Sequence, residues 1–275
     1  MARSTASIRC VVDTMLVSER AGHVDALVRE CRGADGIVIC GGDGTIFEVL
    51  QACDRARQRL GVLPFGRGNS LAKDLALDTA ATAIRSLTSG VDRVVDLLGV
   101  TLRYEDGRNW EGVSASNLAI GYPAEAVKDA ARWRRLRGHS YTVAGLLTRP
   151  AWFDARVTMD DAAESEARMT GLIISNSRYV GPFLGFPSAD LSDGIFHAME
   201  LRARRFRQLL HNVSSVTGLR FYEPVAVRDL RDLRLVLDRP ALVKIDGELR
   251  EGVREVRVRV LPRAATFRVP ASRHG

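Results

Sequence analysis

Short, continuous apolar runs alternate with helical patterns through the first hundred residues. Ile37-Val38-Ile39-Cys40 lies between glycines, as expected for a strand buried on both faces of a parallel sheet. The predicted order is an apolar run at 8–12, a helix at 21–31, a strand at 37–40, a helix at 45–59, a strand at 61–63 and a helix that begins at 69. Strands and helices that alternate at this spacing predict a parallel sheet with helices on its faces.

From about Val94 the pattern changes to polar alternation, which is typical of half-buried strands. Strands are predicted at 100–104, 110–118, 155–159, 169–176, 233–237, 241–245, 253–260 and 266–269, and helices at 124–137 and 205–217. Turn sequences at 105–108 and 246–247 separate some of these strands. The predicted fold class is therefore α/β plus mostly-β, with a parallel-sheet domain at 1–97 and an antiparallel β-rich domain at 98–275.

The composition is that of a soluble globular protein. Of 275 residues, 46% are hydrophobic and 27% are charged. No window of about 18 apolar residues predicts a transmembrane helix, and the N-terminus has no apolar core of a signal peptide. The four cysteines, which lack CxxC spacing, are expected to be reduced thiols of a cytoplasmic protein. They are Cys10, Cys31, Cys40 and Cys53.

The charge is basic and comes almost entirely from arginine. The net charge is +7, and among the 40 basic residues the lysines are Lys73, Lys128 and Lys244. This balance indicates an anionic partner, such as nucleic acid, a phosphate-bearing substrate or an anionic membrane surface. The charge alone does not choose among them.

Two glycine-rich loops each lie between a predicted strand and a predicted helix. The first is Gly41-Gly42-Asp43-Gly44-Thr45, and the second is Pro64-Phe65-Gly66-Arg67-Gly68-Asn69. Glycines let backbone N–H groups approach a phosphate, a helix N-terminus favours the anion, and an Asp can hold hydrated Mg²⁺. Each loop alone could equally be a simple turn. Together they are predicted to lie at the carboxyl edge of one parallel sheet, where open α/β sheets bind ligands.

A third candidate lies near the C-terminus, at Asp246-Gly247-Glu248. Asp-Gly is a common hairpin turn, so this motif alone favours a structural interpretation. Its place in an ordered set of motifs changes that interpretation.

In its ordered motifs the chain resembles the lipid-kinase superfamily of diacylglycerol, sphingosine and ceramide kinases. The resemblance covers nearly the whole chain, whereas GGDGT alone also occurs in NAD kinases. The motifs are GGDGT at 41–45 with Glu48, P-x-G-x-x-N at 64–69, SNLAIGY at 116–122, RGHSY at 137–141, SNSRYVG at 175–181, PSADLSDG at 187–194 and DGE at 246–248.

The resemblance implies transfer of the γ-phosphoryl group of ATP, with Mg²⁺, to a lipid hydroxyl. It also implies a nucleotide-binding α/β domain, a β-sandwich lipid domain and an active site in the cleft between them. Asp43 would act in catalysis beside the metal and phosphates, and Glu248 would accept the hydroxyl proton. The implied cofactor-binding residues are Gly41, Gly42, Asp43, Gly44, Thr45, Gly66, Arg67, Gly68, Asn69, Asp246 and Gly247, and the implied metal ligand is Asp43.

The sequence departs from the family's pattern in four places. The family's first βα unit, with its Asn-Pro-x-Ser-Gly loop, is not recognised before residue 41, so we expect a late start codon or a lost unit. Arg67 replaces a Ser or Thr, and Ser70 stands where bacterial diacylglycerol kinases have Asp, which tilts the acceptor toward ceramide or a sphingoid base. The metal motif Asp-Asp-Gly-x-x-Asp reads Ser192-Asp193-Gly194-Ile195-Phe196-His197, so no tight Mg²⁺ site is expected there.

The expected location is cytoplasmic and peripheral to the membrane. Basic stretches at 133–137 and 202–210 carry interleaved apolar residues, which fits either a solvated helix face or docking on anionic headgroups. The expected partners are a lipid substrate and an anionic membrane surface, with no nucleic acid, and a homodimer is left open. The alternatives to a lipid kinase are an NAD-kinase-like small-molecule kinase and a catalytically inactive lipid-binding or regulatory protein.

Overall fold

The computed structural model describes residues 11–20, 22–66, 68–130, 148–180, 183–202 and 226–271. Within these residues there are five helices and fourteen strands. The helices are α1 (Val24–Glu30), α2 (Asp43–Ala52), α3 (Ser70–Asp74), α4 (Ala80–Ser89) and α5 (Tyr122–Ala130). The strands are β1 (Gly36–Gly41), β2 (Arg59–Pro64), β3 (Val91–Tyr104), β4 (Asn109–Ser114), β5 (Asn117–Gly121), β6 (Phe153–Met159), β7 (Ser165–Met169), β8 (Gly171–Ser175), β9 (Tyr179–Val180), β10 (Phe183–Leu184), β11 (Phe196–Leu201), β12 (Ala226–Leu230), β13 (Asp232–Ile245) and β14 (Glu248–Val269).

Twelve of the described strands form one mixed sheet. Its main path runs β1-β2-β14-β13-β5-β8-β11-β12, with β3 and β4 branching from β14, and β6 and β7 branching from β13. The pairs β1–β2 and β2–β14 are parallel, and the other described pairs are antiparallel. The α/β region followed by a strand-rich antiparallel region confirms the predicted fold class.

Two hydrophobic cores lie on this sheet. The α/β core packs α1 to α4 against β1, β2 and the ends of β3 and β14; its buried residues include Ile39, Leu50, Leu60, Leu71 and Leu97. The β core is enclosed by the antiparallel strands; its buried residues include Leu118, Ile174, Phe196, Leu235 and Val256. Phe47 of α2 joins the β core and stacks on Trp110, with ring centroids 6.1 Å apart.

Strands β3 and β14 run through both cores. Ala265, Phe267 and Val269 of β14 are buried in the α/β core, whereas Val253, Val256 and Val258 belong to the β core. In β14, Phe267 pairs in parallel with Leu60 of β2. The division of the chain at 97/98 stays a prediction, and the last strand of the chain contributes to the core of the first hundred residues.

The structure corrects several predicted bounds. Helix α2 ends at Ala52 instead of residue 59, and the strand predicted at 110–118 is interrupted after Ser114. The strands predicted at 233–237 and 241–245 are one strand, β13, and those at 253–260 and 266–269 are both part of β14. Helix α4 was not predicted. The described part of the apolar run at 8–12, Val11 and Val12, is exposed and forms neither helix nor strand.

The helices predicted at 124–137 and 205–217 are only partly covered. Helix α5 accounts for the start of the first, and residues 131–147 and 203–225 lie outside the described residues. The basic stretch at 133–137 and nearly all of the one at 202–210 are therefore outside the description as well. Cys31, Cys40 and Cys53 are free thiols, as expected, while Cys10 is not described.

Candidate active site

The first two glycine-rich loops leave the sheet side by side. Strands β1 and β2 are parallel, with Gly41 opposite Pro64, and the Phe65 N–H donates to the Gly41 carbonyl at 3.0 Å. Helix α2 begins directly after the first loop, and α3 begins directly after the second. The prediction that both loops lie at the carboxyl edge of one parallel sheet is confirmed.

The two loops are in backbone contact through glycines. A Cβ on Gly42 would lie 2.8 Å from the Gly66 Cα, so a larger residue would push the loops apart. Asn69, at φ +51, holds the second loop in shape because its Nδ2 donates to the carbonyls of Gly66 at 2.9 Å and Pro64 at 3.3 Å. The Asn69 Oδ1 is buried and has no hydrogen-bond partner in the described part of the chain. Gly41 also leaves no room for a Cβ, because the Thr45 side chain packs against it.

Asp43 connects the first loop to the second. Its Oδ2 accepts from the Ser70 N–H at 3.2 Å, and its Oδ1 accepts from the Leu71 N–H at 3.3 Å. Both N–H groups lie at the start of α3, where the helix itself offers no acceptor and Asn69 supplies no side-chain cap. Asp43 therefore caps α3 from a distant part of the chain, a role that the sequence did not predict. Its partly exposed carboxylate keeps further acceptor capacity on each oxygen.

The third loop meets the first two. Ile245 pairs with Glu248 across a two-residue turn, in which Asp246 has φ +47. A Cβ on Gly247 would lie 2.6 Å from the Gly44 Cα, so the hairpin packs backbone to backbone on the first loop. The three motifs, separated by up to about two hundred residues in the sequence, therefore form one cluster.

The Asp246 carboxylate connects this hairpin by hydrogen bonds to residues 114–117, which lead from β4 into β5. Its oxygens accept from the Ser114 hydroxyl at 2.9 Å and from the N–H groups of Ala115, Ser116 and Asn117 at 3.0, 3.1 and 2.9 Å. Burial raises the pKa of Asp246, while the Asn117 N–H and the nearby Lys244 ammonium lower it. Because four protein donors bind this buried carboxylate, Asp246 stabilises the structure of the loop that the resemblance assigns to cofactor binding.

Glu248 differs from both aspartates. It is the first residue of β14 and is partly exposed, and among the described residues its carboxylate has no hydrogen-bond or ion-pair partner. Glu48, one of the motif residues on α2, has a buried Oε2 that forms no hydrogen bond with any described residue. An unengaged carboxylate beside the glycine cluster has the freedom that a proton acceptor needs.

Lys244 is a site residue that the motif search did not select. Its Nζ donates to the Asn117 Oδ1 at 3.1 Å. Burial lowers the pKa of Lys244, and the charges of Asp246 and Asp43 oppose that shift. A signal was present in the sequence, since Lys244 is one of three lysines and interrupts an apolar strand two residues before the Asp-Gly turn.

Asp74 is a second residue that the sequence did not reveal. The buried carboxylate, on the last residue of α3, accepts from the Arg178 Nε and the Arg178 N–H, both at 2.9 Å, and from the Ser177 hydroxyl. It joins the helix after the second loop to the segment after β8. Lys73 adds a cation–π contact with Tyr179, with its Nζ 5.4 Å from the ring centroid.

Other candidate residues lie elsewhere or are not described. Arg67 lies outside the described residues, and Gly68 is partly exposed beside it. Residues 192–197 are the segment that differs from the family's metal-binding motif. There Asp193 accepts a hydrogen bond from the Ile195 N–H, and the His197 Nδ1 lies 2.6 Å from the Asp229 Oδ1. In the described part of the chain, no group of three His, Cys, Asp or Glu side chains is arranged around a metal position.

No helix in the described ranges has the length and apolar character needed to span a bilayer.

Comparison with known proteins gives matches to diacylglycerol kinases and related lipid kinases. Residues 3–100 match the family described as the diacylglycerol kinase catalytic domain. The chain is 30% identical to a diacylglycerol kinase of Mycobacterium tuberculosis over 171 residues, which are 60% of this chain and 54% of that protein. The match thus spans about half the length of this curated relative. A YegS-like lipid kinase of Stenotrophomonas maltophilia is 25% identical over 265 residues, covering 91% of this chain and 84% of the relative.

The fold agrees with these matches. The crystal structure of a diacylglycerol kinase from Bacillus anthracis superimposes with a TM-score of 0.72 over 92% of this chain and 84% of that chain, at 18% identity. The match to the catalytic-domain family includes the first two of the three loops that meet in the structure. The predicted resemblance is therefore confirmed: this chain is similar, in sequence and in fold, to the lipid kinases that carry a diacylglycerol kinase catalytic domain.

Proposed function

We propose that this protein is a lipid kinase that transfers the γ-phosphoryl group of ATP to a lipid hydroxyl in the presence of Mg²⁺. The observation that carries the proposal is the contact among the three loops, through the glycine pairs Gly42–Gly66 and Gly44–Gly247. This contact gathers a phosphate-binding type of loop, a second glycine-rich loop and an unengaged carboxylate in one place. Phosphoryl transfer requires mainly positioning, charge neutralisation and an oriented nucleophile.

The loops are suited to the phosphates of a nucleotide. Gly42 and Gly44 flank Asp43 at the beginning of α2, where backbone N–H groups lack partners within the helix. We propose that the loop residues Gly41 to Thr45, together with Gly66, Gly68 and Asn69, bind the donor. The unpartnered Asn69 Oδ1 supports this assignment because a buried acceptor without a donor is costly unless a ligand supplies one. For Asp246 and Gly247 we propose an indirect part, in which the hairpin supports the first loop.

Asp43 fits a hydrated Mg²⁺. Mg²⁺ in kinase sites keeps several waters and takes one or two carboxylates plus phosphate oxygens. Each Asp43 oxygen accepts one amide N–H and has acceptor capacity left for a metal ligand bond. When bound, the metal would neutralise charge that develops on the phosphates. Asp43 therefore would serve both as the cap of α3 and as the metal ligand.

Glu248 is proposed as the proton acceptor for the lipid hydroxyl. The Asp246 carboxylate is occupied by four donors, and that of Asp43 by two, whereas Glu248 is free among the described residues. A base must reach the hydroxyl by hydrogen bonding and must not be consumed by the protein's own donors. We propose that Glu248 removes the proton as the hydroxyl oxygen attacks the γ-phosphorus and ADP leaves.

The acceptor is proposed to be diacylglycerol first, with ceramide and sphingoid bases as alternatives. The sequence tilt toward ceramide depended on Ser70. Ser70 is buried as the first residue of α3, and its N–H donates to Asp43, so it gives no direct support for that tilt. The relatives named diacylglycerol kinase favour the first acceptor. We also propose that the nucleotide is bound mainly at the α/β core and the lipid at the β core, in a cytoplasmic enzyme peripheral to anionic membranes.

The deciding experiment is a transfer assay. The full chain is incubated with γ-labelled ATP, Mg²⁺ and mixed micelles that contain diacylglycerol, ceramide or sphingosine. The expected result is a labelled lipid in one arm, absent after chelation of the metal and in the Asp43→Asn variant. Label in none of the lipids, from a chain that binds Mg-ATP, would instead identify a lipid-binding or regulatory protein. Label in a soluble nucleotide acceptor would indicate a small-molecule kinase.

A further inference from the structure

The Lys244 ammonium lies in the site without a counter-ion in contact. Among the described residues its one polar contact is the Asn117 Oδ1, a neutral acceptor at 3.1 Å. The other two lysines are compensated: Lys128 pairs with Glu251 at 2.6 Å, and Lys73 lies over the Tyr179 ring. An ammonium has three N–H donors, so the described residues leave two of those on Lys244 unused.

The neighbouring carboxylates do not fill this gap. The Asp246 oxygens accept from Ser114 and three backbone amides, and the Asp43 oxygens accept from two amides of α3. Both carboxylates are close enough for their charge to act on Lys244, yet neither forms an ion pair with it. A cation withdrawn from water without a contacting anion is costly, so the arrangement indicates a missing anionic partner.

The strand register places Lys244 beside the three loops. On β13, Lys244 lies opposite Ala119 of β5 and Leu249 of β14, and two residues later the chain reaches Asp246. Leu242, Ala119 and Leu249 form a small apolar cluster on this face of the sheet. Asn117 lies on the same face of β5, two residues before Ala119. Its Oδ1 accepts a hydrogen bond from the Lys244 ammonium and orients it. The Gly247–Gly44 contact then leads directly to the first loop.

We propose that Lys244 binds the phosphoryl group that is transferred, as a second positive centre beside the Asp43 loop. This inference rests on the proposed function and deepens it. A lysine ammonium is a compact charge with rotatable donors, suited to a group that changes its bonding partner from ADP to the lipid oxygen. Lys244 would hold the terminal phosphoryl group of ATP before transfer and the phosphate of the lipid product after it.

The test compares ligands with and without that group. Dissociation constants are measured for Mg-ATP, Mg-ADP and a short-chain phosphatidic acid, on the full chain and on Lys244→Met, with Lys128→Met as the matched control. Loss of a charged hydrogen bond predicts Mg-ATP binding that is about ten- to a hundredfold weaker in Lys244→Met. Mg-ADP binding should stay unchanged, and phosphatidic acid binding should weaken if the lipid product shares the site.

Thermal unfolding separates this role from a structural one. Without ligand, Lys244→Met should be at least as stable as the parent, because it removes a partly buried charge that no contacting anion compensates. If that variant does not fold, Lys244→Gln, which keeps an N–H donor for Asn117, carries the same binding test. Equal Mg-ATP affinity in parent and variant, or equal loss for ATP and ADP, would overturn the inference and leave the kinase proposal intact. A parent chain that binds no Mg-ATP would count against both.

Discussion

Three carboxylates in the site differ in how many protein donors they hold, and this difference divides their roles. Asp246 accepts four hydrogen bonds, Asp43 accepts two, and Glu248 accepts none among the described residues. The sequence places all three in loops and cannot rank them, because the donors come from segments such as 114–117 and 70–71 that are distant in the chain. Substitutions at the three positions should therefore fail in different ways.

Glu248→Gln should lower turnover and leave binding and folding unchanged. The amide keeps the shape of the side chain but cannot accept the proton, and general-base removal costs about 10²- to 10⁴-fold. The measurement is a steady-state rate with diacylglycerol, together with the Mg-ATP dissociation constant and the melting temperature. Glu251→Gln, three residues further along β14 and paired with Lys128 at the surface, is the matched control. Near-full activity of Glu248→Gln would show that DGE is only a hairpin turn.

Asp43→Asn should fail in two separable respects. The amide can accept only through its oxygen, so α3 loses one of its two caps, at a cost of about 1 kcal/mol in the free energy of unfolding. The neutral side chain should also weaken Mg-ATP binding strongly. Denaturant titration checks the first effect, and nucleotide titration with and without Mg²⁺ checks the second. A variant with lower stability and normal Mg-ATP affinity would restrict Asp43 to capping.

At the scale of elements, the sequence identified the continuous apolar runs and the strand at 155–159, but it joined or divided several other strands incorrectly. Separate strands were predicted before and after the segment 238–240, Asp-Arg-Pro, but β13 passes through it with a shift in register against β14 between Val236 and Ala241. Strand β14 likewise continues through a shift in register against β3 between Leu261 and Ala265, where Arg263 has φ +53. Turn-forming residues also form bulges, and only the partner strand distinguishes the two.

Helix α4 illustrates a different limit. Its buried residues are Ala83 and Ser86, so the face that it buries carries no large apolar side chain. Its signal is instead the cap, in which the Thr79 hydroxyl accepts from the Thr82 N–H at 3.1 Å. In the site, likewise, the sequence predicted which loops meet. It could not predict the glycine contacts or the hydrogen bonds of Asp74, which depend on how closely the loops pack.

Asp74→Asn should loosen the junction between α3 and the segment after β8. The buried carboxylate would lose its charge-assisted bonds to Arg178 and Ser177, which predicts a loss of about 1.5–3 kcal/mol in the free energy of unfolding. Because α3 follows the second loop, Mg-ATP binding should weaken as well. Asp106→Asn, in the exposed pair with Arg108, is the control and should leave both unchanged. Normal stability and binding in Asp74→Asn would contradict a role for this junction.

At the scale of the whole molecule, one sheet contributes to both hydrophobic cores. The chain has a net charge of +7. Asp92 shows how the sheet is tied at its end, since it bonds Arg59 of β2 at 2.7 Å and Arg268 of β14 at 3.0 Å. Burial acts to raise the pKa of Asp92, but the bonds and charges of Arg59 and Arg268 outweigh it and hold the pKa below the usual 3.8.

This shift predicts sensitivity to acid. A lowered pKa in the folded state means that the carboxylate stabilises the fold above its unfolded pKa and loses this effect as the pH falls below about 4. Asp92→Asn should cost about 1 kcal/mol at neutral pH, as for a partly exposed pair, and should flatten the acid side of the stability curve. Urea titrations from neutral pH to acid check this, with the exposed Asp161→Asn as control. An unchanged acid limb would show that other groups dominate.

Membrane association should depend on salt. With a net charge of +7, the chain should sediment with anionic vesicles and be released as salt is added, because charges at a surface are screened beyond about 8 Å at physiological ionic strength. Neutral phosphatidylcholine vesicles are the control and should retain little protein. Sedimentation that is independent of salt, or that does not occur, would contradict electrostatic docking.

The long path of β14 has a consequence for synthesis. The core of the first hundred residues is completed by Ala265, Phe267 and Val269, which are synthesised long after it. In the nascent chain, Leu60 and the residues around it therefore stay exposed to solvent until β14 pairs with β2. Contacts over such sequence separations form slowly, and exposed apolar strands invite aggregation in the meantime. We therefore expect the two cores to become stable together.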